Sequence, residues 1–360
     1  MDISRKDLLL LSVCHLLVDG VCAAALFGNS GAALAGAILI YDTCAFTTQC
    51  LTGMLPDKYG RGRLFVLLSV LMLAAGALLP VPAVVQAVII GLGNSLFHVS
   101  GGWMTLRGSH TMGPLGTFVA PGAIGLFLGT AFPVLRLPFL AALAVCAAVL
   151  AADPAARAAE RVAADPGALD AAAGRAEPNA CRTTSAEPTA VAGGKTLSDR
   201  DRATLAGLLL VAVAARAVGG SVVVFPWKTS LAAGAILVSA VFLGKLCGGF
   251  LADREGVRRT AVLSVVLASV LIVFCHTWMA PSILGQFALN LSMPVTLYLI
   301  YRLFPDSPGF AFGLAAAALW PGTLAGKLIH LTGVWAGLLA VLCFAAGLAA
   351  VLITERRLQK

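Results

Sequence analysis

Charge is what this sequence lacks most. Of its 360 residues only 12% are Asp, Glu, Lys or Arg, about half the usual share of a soluble globular domain. Hydrophobic residues make up 59%, and the mean hydropathy is +0.93. So little charge excludes a soluble enzyme, a disordered chain and a nucleic-acid binder. Nucleotide-binding signatures are missing too: there is no G-x-x-x-x-G-K-[ST], which argues against direct ATP drive. None of the nine cysteines forms a C-x-x-C pair. Eight of them lie in apolar stretches and Cys181 in a polar one, the pattern of inert buried thiols. No cofactor is expected.

What is present is a series of long apolar runs. A membrane-spanning helix needs about 20 mostly apolar residues. That ruler finds twelve spans: 7–28, 31–55, 64–82, 83–106, 111–132 and 135–152, then 203–225, 231–252, 260–279, 280–304, 309–331 and 333–354. The stretch 153–202 is rich in Ala, Asp, Glu, Arg and Pro and reads as a polar linker. The expected architecture is all-α and integral to a membrane. A six-helix bundle (1–152) and a second one (203–360) flank the linker. Arg5 and Lys6 precede the first run as they would in a signal peptide. Asp19 inside that run, its length and the eleven spans that follow argue for a retained helix.

Lys and Arg set the orientation. With the N-terminus in the cytoplasm, the inner loops and tails hold Arg5, Lys6, Lys58, Arg61, Arg63, Arg107, the linker's basic residues, Arg254, Arg258, Arg259, Arg302, Arg356, Arg357 and Lys360. The outer loops hold only Arg136 and Lys228. This is a positive-inside pattern with both termini cytoplasmic. It accounts for the net charge of +8 through anionic lipid, without nucleic acid. The Ala-rich composition suits a bacterial inner membrane.

The chain also repeats itself. Residues 53–63 (GMLPDKYGRGR) and 249–259 (GFLADREGVRR) align with Gly53, Leu55, Asp57, Gly60 and Arg63 on Gly249, Leu251, Asp253, Gly256 and Arg259. Each copy follows the second span of its half, as parallel repeats require. The same register brings Asn94 onto Asn290 and Asp19 to within one residue of Arg216. The two loops resemble the signature between helices 2 and 3 of the major facilitator superfamily, roughly G-x-L-x-D-[RK]-x-G-R-[RK]. The second copy departs from it at Val257, and the first carries Pro56 and Gly62 at less common places.

That resemblance implies a secondary transporter working by alternating access, a monomer whose partners are a small solute, protons and the bilayer. It also implies a conformational latch at Gly53, Asp57, Lys58, Gly60, Arg61, Gly249, Asp253, Arg254 and Gly256. There a carboxylate faces a helix N-terminus, pairs with an Arg and holds the cytoplasmic side shut in the outward-open state. Helices 1, 4, 7 and 10 are expected to line the central cavity.

An ionisable group inside a span is a functional hypothesis by default. His15 and Asp19, four apart, share a helix face, as do Asn94 and His98. Arg216 lies in the seventh span and Asn290 in the tenth. The expected substrate site is Arg216, His98, Asn94 and Asn290, for an anionic or zwitterionic solute. The expected proton site is Asp19 with His15, because hydrocarbon surroundings disfavour a bare carboxylate. Arg216 either binds substrate or holds Asp19 when the site is empty. A permanent Asp19–Arg216 pair, a core role for His98 and an interhelical role for the two asparagines are the structural alternatives. Asp42 and Lys327 are a candidate outer gate, and Lys245 is expected to snorkel towards the surface. Gly122, Gly125 and Gly129 read as a helix-packing stripe, and Pro121 and Pro321 as kinks.

Three other functions stay open. Drug efflux by proton antiport is disfavoured by Ala87 where such antiporters carry an Arg four residues before a G-x-G. A divalent-metal transporter would use His15, Asp19, Asp42 and His98. A polytopic membrane enzyme or sensor lacks a surface site in these short loops.

Overall fold

The computed structural model describes residues 3–107, 109–153 and 197–359. The linker reading of 153–202, Cys181 included, therefore falls largely on residues outside the described ones. Among the described residues there are no strands, and twelve helical rods follow one another. They are α1 (Arg5–Leu26), α2 (31–59), α3 (Gly62–Leu78), α4 (Ala83–Leu106), α5 (Gly113–Ala131) and α6 (Arg136–Ala152). The second set is α7 (Asp199–Val222), α8 (Leu231–Glu255), α9 (Val257–Phe274), α10 (Met279–Leu303), α11 (Pro308–Leu328) and α12 (Gly333–Leu358).

Eleven of these are long and apolar enough to cross a membrane, α6 together with the turn Pro133–Leu135 that leads into it, and α3, at 17 residues, is shorter. The expected spans stand, with end shifts of a few residues. α7 begins four residues earlier than expected, at Asp199, where Ser198 caps it by accepting from the Asp201 amide. Apolar side chains remain exposed along the rods, such as Leu68 and Leu71 on α3, Val145 on α6, Val266 and Phe274 on α9 and Leu342 on α12. A contiguous apolar outer surface of this kind is the mark of a lipid-facing wall, and the chain is a multi-pass membrane protein.

Two irregularities shape the interior. α2 carries a π-helical turn at Thr43–Thr47, immediately after Asp42. Such turns shift the helical phase and re-aim the residues beside them. α5 breaks at Ala120–Pro121, between Gly113–Val119 and Gly122–Ala131. Pro121 has no N–H to donate to the carbonyl of Thr117. The carbonyls left free by the break are taken by α1: Ser12 Oγ donates to Thr117 O at 3.1 Å, and His15 Nδ1 donates to Phe118 O at 2.7 Å.

The two halves meet most tightly at the face that carries both termini. There α2 packs on α11, and α8 on α5, backbone against backbone. A Cβ on Gly53 would overlap the Gly309 carbonyl, and one on Gly249 would overlap the Met112 carbonyl. Gly60 ends α2 with φ +64° and Gly256 ends α8 with φ +87°, values an L side chain rarely adopts.

Candidate functional site

Asp57 and Asp253 occupy equivalent places in the two halves. Asp57 Oδ1 and Oδ2 accept from the amides of Gly309 (2.9 Å) and Phe310 (2.7 Å), the first turn of α11. Asp253 Oδ1 and Oδ2 accept from the amides of Met112 and Gly113, both at 2.7 Å, where α5 begins. Each carboxylate thus caps the positive end of a helix from the opposite half.

The expected Arg partner of these carboxylates is not found among the described residues. Lys58 lies over the Tyr59 ring, and Arg254 faces Glu255 at 3.5 Å. Arg63 instead binds Asp7 at 2.8 Å and donates from Nε to Leu150 O, tying α3 to α1 and α6 within its own half.

Above this closed face lies a central cavity of about 410 Å³. The four helices expected to line it all do so: α1, α4, α7 and α10. So do α2, α5, α8 and α11, which the sequence reading left out of the lining. The addition matters chemically, because α8 brings Lys245 into the wall. Lys245 interacts electrostatically with both Arg216 and Asp19, so the expectation that it snorkels to the surface is corrected. Tyr41, Gln49 and Thr296 are further polar wall residues that hydropathy did not single out.

One wall is a compact proton-capable cluster. Asp19 Oδ1 accepts from Asn94 Nδ2 at 2.9 Å and lies 3.7 Å from His98 Nε2, while Oδ2 lies 3.3 Å from His15 Nε2. His98 Nδ1 donates to the Asn94 carbonyl at 2.9 Å, as His15 Nδ1 does to Phe118. A carbonyl only accepts, so both histidines carry their ordinary proton on Nδ1. Their Nε2 lone pairs then face each other at 2.9 Å. Two lone pairs do not attract. The Asp19 carboxylate lies beside both of them. Gly122 makes the room: a Cβ there would overlap His15 Nε2 and Asp19 Oδ2.

The facing wall holds Arg216, whose Nε is buried without a hydrogen-bond partner. No ion pair joins it to Asp19 among the described residues, which corrects the idea that Arg216 holds that acid in the empty site. Asp42 and Lys327, the candidate outer gate, lie 4.0 Å apart, with the lysine more than half exposed. Asn290 is not in the cavity wall. Its Nδ2 donates to the Gln286 carbonyl, and its Cβ packs where α10 crosses Gly244 of α8, an interhelical role. Of the four residues weighed as a metal site, His15, Asp19 and His98 converge and Asp42 does not.

Twelve helices in two related halves, closed at one face around a central cavity, make the fold that the resemblance of the two repeat loops to the major facilitator superfamily implies. No protein-family model matches the chain, and no curated protein matches it. Among solved structures it is similar to a single-substitution variant of the Escherichia coli fucose:proton symporter, with a TM-score of 0.60 and 13% identity over 97% of each chain. At that identity the likeness is one of fold.

Proposed function

We propose that this protein is a proton-coupled secondary transporter of a small anionic or zwitterionic solute, working by alternating access. One observation carries the reading: a proton-capable Asp–His–His cluster and an unpartnered buried arginine face each other across a single closed-ended cavity. In this reading the proton sits at Asp19, His15 and His98, Arg216 binds the anionic group, and Asn94 orients the acid. In this reading the positive-inside pattern puts the latched face on the cytoplasmic side, and the conformation described is then the outward-facing one. Breaking the four amide contacts of Asp57 and Asp253 would open the other side. The fold's similarity to a proton symporter supports the coupling. One chain suffices, because eight of its own helices enclose the cavity. A bacterial inner membrane with cytoplasmic termini fits the same charge pattern.

A divalent-metal carrier is the second reading, favoured by ligand atoms of His15, Asp19 and His98 within 4.8 Å of one another. Arg216 and Lys245 in the same wall oppose a dication.

Purified protein in proteoliposomes separates these readings. With an acidic exterior, wild type is expected to drive proton-coupled accumulation of an anion. Asp19→Asn is expected to keep solute exchange at equal pH while losing the response to a pH gradient. Transport of Ni²⁺ or Zn²⁺ instead, with no anion flux, would replace the proposal by the metal reading.

A further inference from the structure

Acceptors are packed against acceptors where α1 meets α4. Each histidine ring donates its Nδ1 proton to a backbone carbonyl, at Phe118 and at Asn94, so the two Nε2 lone pairs point at one another across 2.9 Å. The Asp19 carboxylate adds its oxygens at 3.3 Å from His15 Nε2 and 3.7 Å from His98 Nε2. These separations bracket the roughly 3.3 Å between neighbouring donors in a tetrahedral zinc site, where each Zn–N bond is about 2.0–2.1 Å long. The surroundings have the same character. Metal-bound imidazoles donate their other N–H to a carbonyl or carboxylate, and metal-bound carboxylates accept a further hydrogen bond. Here the carbonyls of Phe118 and Asn94 and the Asn94 amide stand in those places. The cluster lines the central cavity, so an ion can enter from there and keep a fourth position open.

We infer that His15, Asp19 and His98 bind one transition-metal dication of the Zn²⁺ type, and that this ion inhibits the carrier rather than being carried. Two imidazoles and a carboxylate suit Zn²⁺ and its neighbours, whereas Mg²⁺ and Ca²⁺ take oxygen ligands. The three ligands and the groups that orient them all belong to α1, α4 and α5, one half of the molecule. Arg216 and Lys245 line the cavity from the other half. They weaken the site without removing a ligand. Ligation also reverses the sign of the Asp19 wall, so the present attraction between Asp19 and Lys245 becomes a repulsion. An ion that grips one half and repels the other disfavours any state in which the two walls close on each other. The binding rests on the geometry alone. The inhibition rests also on the transport reading.

Binding and inhibition are tested separately. The full chain, purified without a polyhistidine tag and stripped with chelator, is titrated with Zn²⁺ by isothermal calorimetry in detergent. Wild type is expected to take up one ion per chain that excess Mg²⁺ does not displace. His98→Ala and Asp19→Asn are each expected to weaken binding at least about tenfold. Should one of them fail to fold, the other decides. His330→Ala removes an exposed histidine outside the cluster and is expected to leave binding unchanged. Absence of a saturable one-to-one site, or unchanged affinity in the ligand variants, overturns the proposal. In proteoliposomes, radiolabelled Zn²⁺ is expected to stop anion flux without accumulating inside. Undiminished flux with the ion bound overturns the inhibition, and accumulation of the label overturns it in favour of metal carriage. A bound ion in a protein that moves no anion even without zinc upholds the site and overturns the transport reading.

Discussion

At the scale of single residues, the site works because each polar group has its orientation set by something rigid. Asn94 is fixed on α4 and holds one oxygen of Asp19, and two backbone carbonyls fix the histidine tautomers. Arg216 is the exception, a donor with nothing to donate to. A buried donor that gains a partner only on binding contributes strongly to affinity. Arg216→Ala is therefore expected to abolish thermal stabilisation by any anion that stabilises wild type, read as a lost shift in melting temperature. By linkage, a ligand at 100 times its dissociation constant adds about 2.7 kcal/mol in wild type, so the loss is easily measured. Retention of the full shift would remove Arg216 from the binding site. The ionisable residues were legible in the sequence because charge in a hydrophobic span is conspicuous. Asn290 was misplaced for the opposite reason: an asparagine serves equally well in a cavity or between helices, and only packing at Gly244 decides which.

At the scale of elements, α1 and α5 are joined by backbone contact rather than by interlocking side chains. Cβ atoms at Gly125 and Gly129 would overlap the carbonyls of Leu16 and Gly20. At Gly122 the same closeness serves the proton cluster. Gly122→Ala is expected to push His15 from Asp19, lowering the melting temperature and removing the pH-gradient response together. Gly36→Ala, where a Cβ meets nothing within 4 Å, is the matched control and is expected to leave both unchanged. The small-residue spacing in α5 was visible in the sequence, but its role beside the cluster was not, since spacing along one helix does not reveal what lies opposite. The lining helices show the same limit. Lys245 looked like an inner-end residue of α8 because hydropathy gives depth and not azimuth, and the neighbour that fixes the azimuth is α10, tens of residues away in sequence.

For the whole molecule, the transport reading rests the conformational balance on two matched carboxylate–helix contacts. Each gives two charge-assisted bonds between the halves, and each such bond contributes about 1.5–3 kcal/mol. Removing both charges is expected to shift the population away from the closed face. Spin labels at positions 58 and 306, on α2 and just before α11, in a cysteine-free background, are expected to show one short distance in wild type. In the Asp57→Asn/Asp253→Asn double variant a longer component should appear. An unchanged distribution would mean that glycine-mediated packing alone holds the face shut. This level was the most legible in advance, because the repeat marks both carboxylates and the positive charges mark one side of the membrane. The helix ends that receive the carboxylates carry no motif of their own and were found only in three dimensions.

Pro121 touches neither proton nor solute, yet it decides which nitrogen of His15 faces the cavity. An unbroken helix through 121 would return Thr117 O to residue 121 and Phe118 O to Gly122, and release the imidazole to flip. Substitutions at 121 would then masquerade as active-site lesions, damaging coupling while every group that handles the cargo stays in place. In this chain a gap in one helix acts as an instruction to the next.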